Sequence, residues 1–300
     1  MKVSIILNPY SGGRRGRNVL AQVLPILQSA SVDVTISETT HAGHALSLAR
    51  EINLKDLDGI VTIGGDGTLN EVVNGMLSRK DKQKIPIGVI PGGSGNAFAH
   101  DLGLLNPQEA AQAILGQRPT AVDAIRVELK GSAGPVYALN ILGWGLVTDI
   151  GRMAQKLRWL GARRYTFVTV MEILRHRARA ATLVLDDKEI VDDFAFVIAC
   201  NTMHTGKGMK VAPKARLDDG LMDVVVVREH GSRMKLLKLF PKLFEGKHID
   251  DPLCEYYQVR RCAIFPEKEG PLNLDGDIMG RTPVRLEVAP KAFSVFSKAL

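Results

Sequence analysis

Gly59-Ile60-Val61-Thr62-Ile63-Gly64-Gly65-Asp66-Gly67-Thr68-Leu69-Asn70-Glu71-Val72-Val73-Asn74-Gly75 is the stretch from which the fold of the first part of this chain can be read. Gly59–Ile63 is a short apolar run and predicts a strand buried in a sheet. From Thr68 the apolar positions fall at helical spacing, which predicts a helix over Thr68–Leu77. Between them lies Gly64-Gly65-Asp66-Gly67-Thr68, three glycines around a carboxylate. Without side chains the backbone there can come close to a ligand, and the following helix points its positive end and open N–H groups at the turn.

The same unit repeats on either side. Upstream, Val3–Leu7 reads as a strand, Arg17–Ala30 as a helix, Val32–Ser37 as a strand and Gly43–Ile52 as a helix; downstream, Ile87–Ile90 is another strand. This alternation predicts a parallel sheet covered by helices. Two more glycine turns follow predicted strands: Asn8-Pro9-Tyr10-Ser11-Gly12-Gly13 and Pro91-Gly92-Gly93-Ser94-Gly95-Asn96. All three sit at strand carboxyl ends, where open α/β sheets bind ligands, and Ser11, Thr68 and Ser94 add hydroxyls. One such loop alone reads as a tight turn. Three in one domain point to phosphate handling. None ends in the Gly-Lys-Ser/Thr of the Walker loop, and no Gly-x-Gly-x-x-Gly opening with a later acid is present, so phosphoryl transfer is favoured over hydride transfer.

Beyond about Ala121 the texture changes. Val122–Leu129, Val136–Ile141, Ala181–Leu185, Phe194–Ala199, Leu221–Val227, Val259–Phe265 and Val284–Val288 read as strands, with helices near Tyr165–Arg177 and Lys235–Phe244. The expected organisation is an α/β domain over 1–122 and a β-rich, mostly antiparallel domain over 123–300, its last segment packing back on the first.

The run Gly64 to Gly75 resembles the nucleotide-binding motif of the diacylglycerol-kinase catalytic domain. Gly-Gly-Asp-Gly by itself is shared with NAD kinases and phosphofructokinases. The flanking Asn8-Pro9-x-Ser11-Gly12 and Gly92-Gly93-Ser94-Gly95-Asn96, in that order, are similar to the other two loops of the sphingosine-kinase and diacylglycerol-kinase family. The resemblance runs to the C-terminus and implies an open, Rossmann-like first domain, ATP as donor, Mg2+ and a lipid substrate. It implies nucleotide contacts at Asn8, Pro9, Ser11, Gly12, Thr39, Gly64, Gly65, Gly67, Thr68, Asn70, Glu71, Gly93, Ser94 and Asn96. Arg158 and Arg164, in Lys156–Thr166, resemble arginines that reach ATP phosphates; without the resemblance they read as helix-face charges.

Val211-Ala212-Pro213 through Asp219-Gly220-Leu221 is similar to the family's magnesium loop, with Asp219 giving a side-chain oxygen and Arg216 and Leu221 carbonyls. A polar turn before a strand reads equally well. Leu274-Asp275-Gly276-Asp277 resembles the family's Asp-Gly-Glu segment, with Asp277 at the position of the bacterial general base and Asp where that pattern has Glu. The sphingosine kinases give that role to the position of Asp66. Asp66 and Asp277 are therefore the candidate catalytic pair, in either order: one takes the hydroxyl proton, the other holds metal. Asp275 and Gly276 would lie at the nucleotide.

Gly93-Ser94-Gly95-Asn96-Ala97-Phe98 and the Gly143–Thr166 segment resemble sphingosine and ceramide kinases more than bacterial diacylglycerol kinases. The head-group aspartate of the former aligns with Gly151, and Asp149 is the acidic position retained. This implies a sphingoid-type lipid, with diacylglycerol as the alternative.

The 300 residues carry a formal charge of +7, which suits nucleotides or anionic membrane surfaces, while aromatic residues at 5% give little for stacking single-stranded nucleic acid. Three cysteines without metal spacing, Cys200, Cys254 and Cys262, read as reduced thiols of a cytoplasmic protein. The start reads as a buried strand rather than a signal peptide, and no run approaches the ~18 apolar residues of a membrane span. A lipid kinase of this kind would visit the bilayer peripherally, and a homodimer is compatible with it. Met234–Phe244 reads as a helix packing an apolar stripe, or as one lying on an anionic membrane. His41, His44, His100 and His204 show no metal spacing. An NAD kinase and a non-catalytic nucleotide or lipid sensor remain as rival readings.

Overall fold

The computed structural model describes residues 1–132, 134–157, 164–229 and 233–298, without the side chains of 164–166 and 207. The chain forms two compact units. The first comprises Met1–Ala124, Gly206–Gly208 and Pro290–Leu300; the second Ile125–Thr205 and Met209–Ala289.

The first unit runs β1 (Lys2–Leu7), a short turn α1 (Ser11–Arg14), α2 (Gly16–Ser29), β2 (Asp33–Glu38), α3 (His44–Glu51), β3 (Gly59–Gly64), α4 (Asp66–Leu77), β4 (Ile87–Pro91), α5 (Ala97–Asp101) and α6 (Pro107–Leu115). Its strands are parallel in the order β2-β1-β3-β4, and Val295 near the chain end pairs in parallel with Ile87 of β4. Every residue of β3 is buried, as expected of an interior strand, whereas β2 is the half-exposed edge. On α4 the buried Leu69, Val72, Val73 and Met76 recur at helical spacing and make its inner face. The start of α6 is fixed by Asn106, whose side-chain oxygen accepts the Gln108 and Glu109 N–H groups, with Pro107 in the first turn.

The second unit takes in most of β5 (Pro119–Leu129), then β6 (Val136–Ala138), β7 (Ile141–Gly145), α7 (Leu146–Lys156), α8 (Arg164–Arg175), β8 (Arg179–Leu185), β9 (Lys188–Cys200), the short pair β10 (His204–Thr205) and β11 (Met209–Lys210), β12 (Met222–Arg228), α9 (Arg233–Lys242), β13 (Cys254–Val259), β14 (Arg261–Pro266), β15 (Pro271–Leu274), β16 (Asp277–Arg281) and the first part of β17 (Val284–Phe296). The pairings within it are antiparallel. β9 is its spine: the first half pairs with β8, the second with β7 and β12. The twofold period of a strand sends Val197 and Ala199 into one core and Phe196, Ile198 and Cys200 into the other. On β12, Val224 and Val226 face the first core and Val225 and Val227 the second. That is why its valines run without alternation.

Two expected strands are corrected. Val136–Ile141 is two strands, β6 and β7, because the N–H groups of Leu139, Asn140 and Ile141 turn to the Asp275 carboxylate instead of a ladder. Val259–Phe265 is likewise divided between β13 and β14 at Arg260, whose N–H, with that of Arg261, donates to Asp186. α5, α6, α7, β15 and β16 come in addition to the expected elements.

Candidate functional site

The carboxyl ends of β1, β3 and β4 bring the three glycine turns together. Asn8 donates its side-chain amide to the Thr68 hydroxyl at 3.0 Å, and its side-chain oxygen accepts the Tyr10 N–H at 3.0 Å. Its carbonyl accepts the Ser11 hydroxyl at 2.9 Å. The N–H groups of Gly92 and Gly93 both donate to the Gly64 carbonyl, at 2.7 and 3.1 Å, which ties the third turn to the second. Asn96 closes the third turn on itself, accepting the Gly93 N–H and donating to the Gly93 carbonyl, each at 2.9 Å.

Two glycines make this interlock possible. Gly12 has φ +54°, and a Cβ there would stand 2.3 Å from the Gly92 carbonyl oxygen. A Cβ on Gly93 would stand 2.5 Å from the Gly65 Cα. Backbone thus packs directly on backbone where the turns meet.

Asp66 opens α4, where its own N–H and that of Gly67 have no intrahelical acceptor. One carboxylate oxygen accepts the Phe98 N–H at 3.1 Å; the other lies beside Gly95, 3.2 Å from where a Cβ would stand, and takes no hydrogen bond among the described residues. Half-buried Asp66 is thus anchored through one oxygen, with the other left for chemistry. Gly67 and Ser94 are exposed at the mouth, while Pro9 and Ser11 are buried beneath it.

Thr39 is buried after β2, its N–H on the Leu7 carbonyl. Glu71 accepts the N–H groups of Gly43 and Ala45 at 2.8 and 3.1 Å, so its carboxylate caps α3. Asn70 accepts the side-chain amide of Asn74 at 3.1 Å. Arg15 was missed from sequence: its Nε donates to the Gly12 carbonyl at 2.8 Å, putting a cation on the first loop. The Arg14-Arg15 pair directly behind two glycines was the available signal.

In the second unit, Asp275 is consumed structurally, its two oxygens accepting the N–H groups of Leu139, Asn140 and Ile141 at 2.8 to 2.9 Å. Gly276, at φ +98°, donates to the Asn273 side-chain oxygen, and its carbonyl accepts from Gln155 of α7. This turn presents Asp277, exposed at the head of β16. Asp149 is paired with Arg179 at 2.6 Å and lies 3.9 Å from Arg152. Arg158 and the side chain of Arg164 lie outside the described residues.

In the expected metal loop, the Asp219 side chain accepts the Leu221 N–H at 3.0 Å, and Arg216 pairs with Asp218. The adjoining Asp223 is buried; one oxygen accepts the Tyr256 hydroxyl at 2.5 Å and the other has no hydrogen bond among the described residues. Burial pushes this carboxyl up to about 6, with the Asp219 charge adding to the rise and the Tyr256 hydroxyl opposing it. A buried carboxyl oxygen without a hydrogen bond among the described residues, close to the second acid Asp219, fits a hard, oxygen-seeking cation such as magnesium.

The model of the diacylglycerol kinase catalytic domain matches residues 2–127, and that of the YegS C-terminal NAD kinase beta sandwich-like domain matches residues 140–297. Sphingosine kinase 1 of Arabidopsis thaliana is 28% identical over 353 residues, covering 99% of this chain and 72% of that protein. A diacylglycerol kinase of Bacillus subtilis (strain 168) is 30% identical over 285 residues, covering 94% and 91%. The crystal structure of a putative diacylglycerol kinase from Bacillus anthracis str. Sterne superposes with a TM-score of 0.80 at 25% identity, covering 99% of this chain and 97% of that one. With three interlocked glycine turns around a carboxylate, and both domain types matched in order, the chain belongs to the diacylglycerol-kinase and sphingosine-kinase family of lipid kinases, whose chemistry implies use of ATP.

Proposed function

We propose that this enzyme transfers the γ-phosphoryl group of ATP to the primary hydroxyl of a sphingoid-type lipid, a long-chain base or a ceramide. The observation that carries the reading is the interlock of the three turns, which sets exposed Gly67 and Ser94, and the open N–H groups that begin α4, beside Asp66. Such a surface suits the spread negative charge of a transferring phosphoryl group. The lipid oxygen bonds to phosphorus in line as the bond to the β-phosphate oxygen breaks. Asp277 takes the hydroxyl proton and Asp66 faces the metal side, or the two exchange these roles. Magnesium, when bound, neutralises phosphate charge; Asp219 with the Arg216 and Leu221 carbonyls would hold a structural ion.

The sphingoid reading rests on Gly93-Ser94-Gly95-Asn96-Ala97 and on the likeness to plant sphingosine kinase. A diacylglycerol substrate is the second reading, favoured by the Asp149–Arg179 pair, which neutralises the retained acid. Among the described residues no helix is long and apolar enough to cross a membrane. Phe167, Val170 and Leu174 stand exposed along one face of α8, next to Arg175 and Arg177, which supports peripheral contact with an anionic bilayer.

Transfer of labelled γ-phosphate in mixed micelles to sphingosine, ceramide and diacylglycerol, with NAD as the soluble acceptor, tests the reading. Product from sphingosine or ceramide sustains it, product from diacylglycerol alone moves it to the second reading, and product from NAD alone overturns it.

A further inference from the structure

We propose that Asn273 sets the lipid preference, its side-chain N–H donating to an ester or amide carbonyl, so that the enzyme favours an uncharged, acylated lipid alcohol over a free-amine sphingoid base. This rests on the reading that Asp277 serves the reacting hydroxyl.

Asn273 lies on β15 opposite Ile278, in the ladder register next to the Leu274–Asp277 pair. Its oxygen accepts the Gly276 N–H at 2.9 Å, and an N–H needs an acceptor, so this bond fixes the amide orientation: oxygen towards Gly276, NH2 away from it. The NH2 faces α7, only 2.9 Å from where a Cβ on Gly151 would stand, with Ile278 Cδ1 at 3.6 Å from the same point. Glycine at 151 lets α7 lie this close to the NH2, which has no hydrogen-bond partner among the described residues. Gln155, one turn further along α7, donates to the Gly276 carbonyl and holds the helix against the turn.

The charges nearby do not provide for an ammonium. Asp275 is filled by three backbone N–H groups, and Asp149 is neutralised by Arg179 and Arg152. Asp277, on the reading this inference rests on, is engaged with the reacting hydroxyl. An ammonium is donor-only and cannot accept from the Asn273 NH2; the carbonyl of an acylated lipid, a few bonds from its primary hydroxyl, accepts. Mismatched polar groups of this kind discriminate by about 10-fold or more.

The test compares kcat/KM for a short-chain ceramide, a short-chain diacylglycerol and sphingosine in mixed micelles, for the wild type and Asn273→Asp. The variant keeps the oxygen that accepts from Gly276 and replaces the donor with a second carboxylate oxygen. The wild type is expected to favour the acylated lipids by about 10-fold or more, and Asn273→Asp to shift that ratio towards sphingosine by at least about 10-fold, with KM for ATP unchanged. A ratio that Asn273→Asp leaves within about threefold overturns the inference, as does a wild type that prefers sphingosine, a result that needs no variant to fold. Failure of the wild type on every lipid is a different result and sinks the lipid-kinase reading beneath it.

Discussion

Gly12→Ala strikes the packing of one loop on another, and Gly13→Ala is its built-in control. Both glycines are left-handed, at φ +54° and +77°, so alanine at either costs about 1–2 kcal/mol of backbone strain. They differ in what the new methyl meets. At Gly13 nothing lies within 4 Å, whereas at Gly12 the methyl would stand 2.3 Å from the Gly92 carbonyl oxygen. Ordinary contact needs about 3.5 Å, so the first and third turns must part by about 1 Å. Forcing that separation adds about 1–3 kcal/mol of destabilisation over the control. Misplacing a phosphate-binding loop by about 1 Å is expected to lower kcat/KM for ATP by about 100-fold. Initial-rate kinetics in ATP at saturating lipid, with urea unfolding alongside, read both quantities. Gly13→Ala should keep kcat/KM for ATP within a few-fold of wild type. Equal kinetics for the two variants would refute the interlock as the source of the ATP site.

Asp275→Asn sets an NH2 group against backbone N–H donors from Leu139–Ile141, and urea unfolding is expected to show a loss of about 2–3 kcal/mol. In magnesium-free buffer, Asp223, raised from 3.8 to about 6, keeps a proton in the folded chain that the unfolded chain has lost. Its contribution to stability is therefore greatest at low pH and falls by about 3 kcal/mol as pH rises from about 4 to above 6. Asp223→Asn, which retains an acceptor for the Tyr256 hydroxyl, is expected to flatten that part of the stability profile.

The first unit was legible because its signals are local. β3 is a short apolar run, α4 shows its inner face every three or four residues, and each turn announces itself by glycine. The second unit hid what depends on distant partners. Nothing near Leu139 foretells that Asp275, at a separation of 136 residues, will draw its N–H out of the ladder. The break at Arg260 likewise depends on Asp186, 74 residues earlier. The same limit applies to the site: Asp66 could be picked out from its own loop, but the cap that Glu71 gives α3, and the pairing of Asp149 with Arg179, are matters of tertiary placement. Asn273 carried only a weak signal, an asparagine three residues before a glycine.

Transfer of phosphate from ATP to a lipid hydroxyl at Asp66 is best probed with Asp66→Asn. Asparagine can still accept the Phe98 N–H, so thermal unfolding should match wild type. Wild type is expected to yield labelled lipid phosphate, and the variant to lose about 1,000-fold or more in kcat. A folded Asp66→Asn enzyme that phosphorylates lipid at near wild-type rate would contradict that role for Asp66.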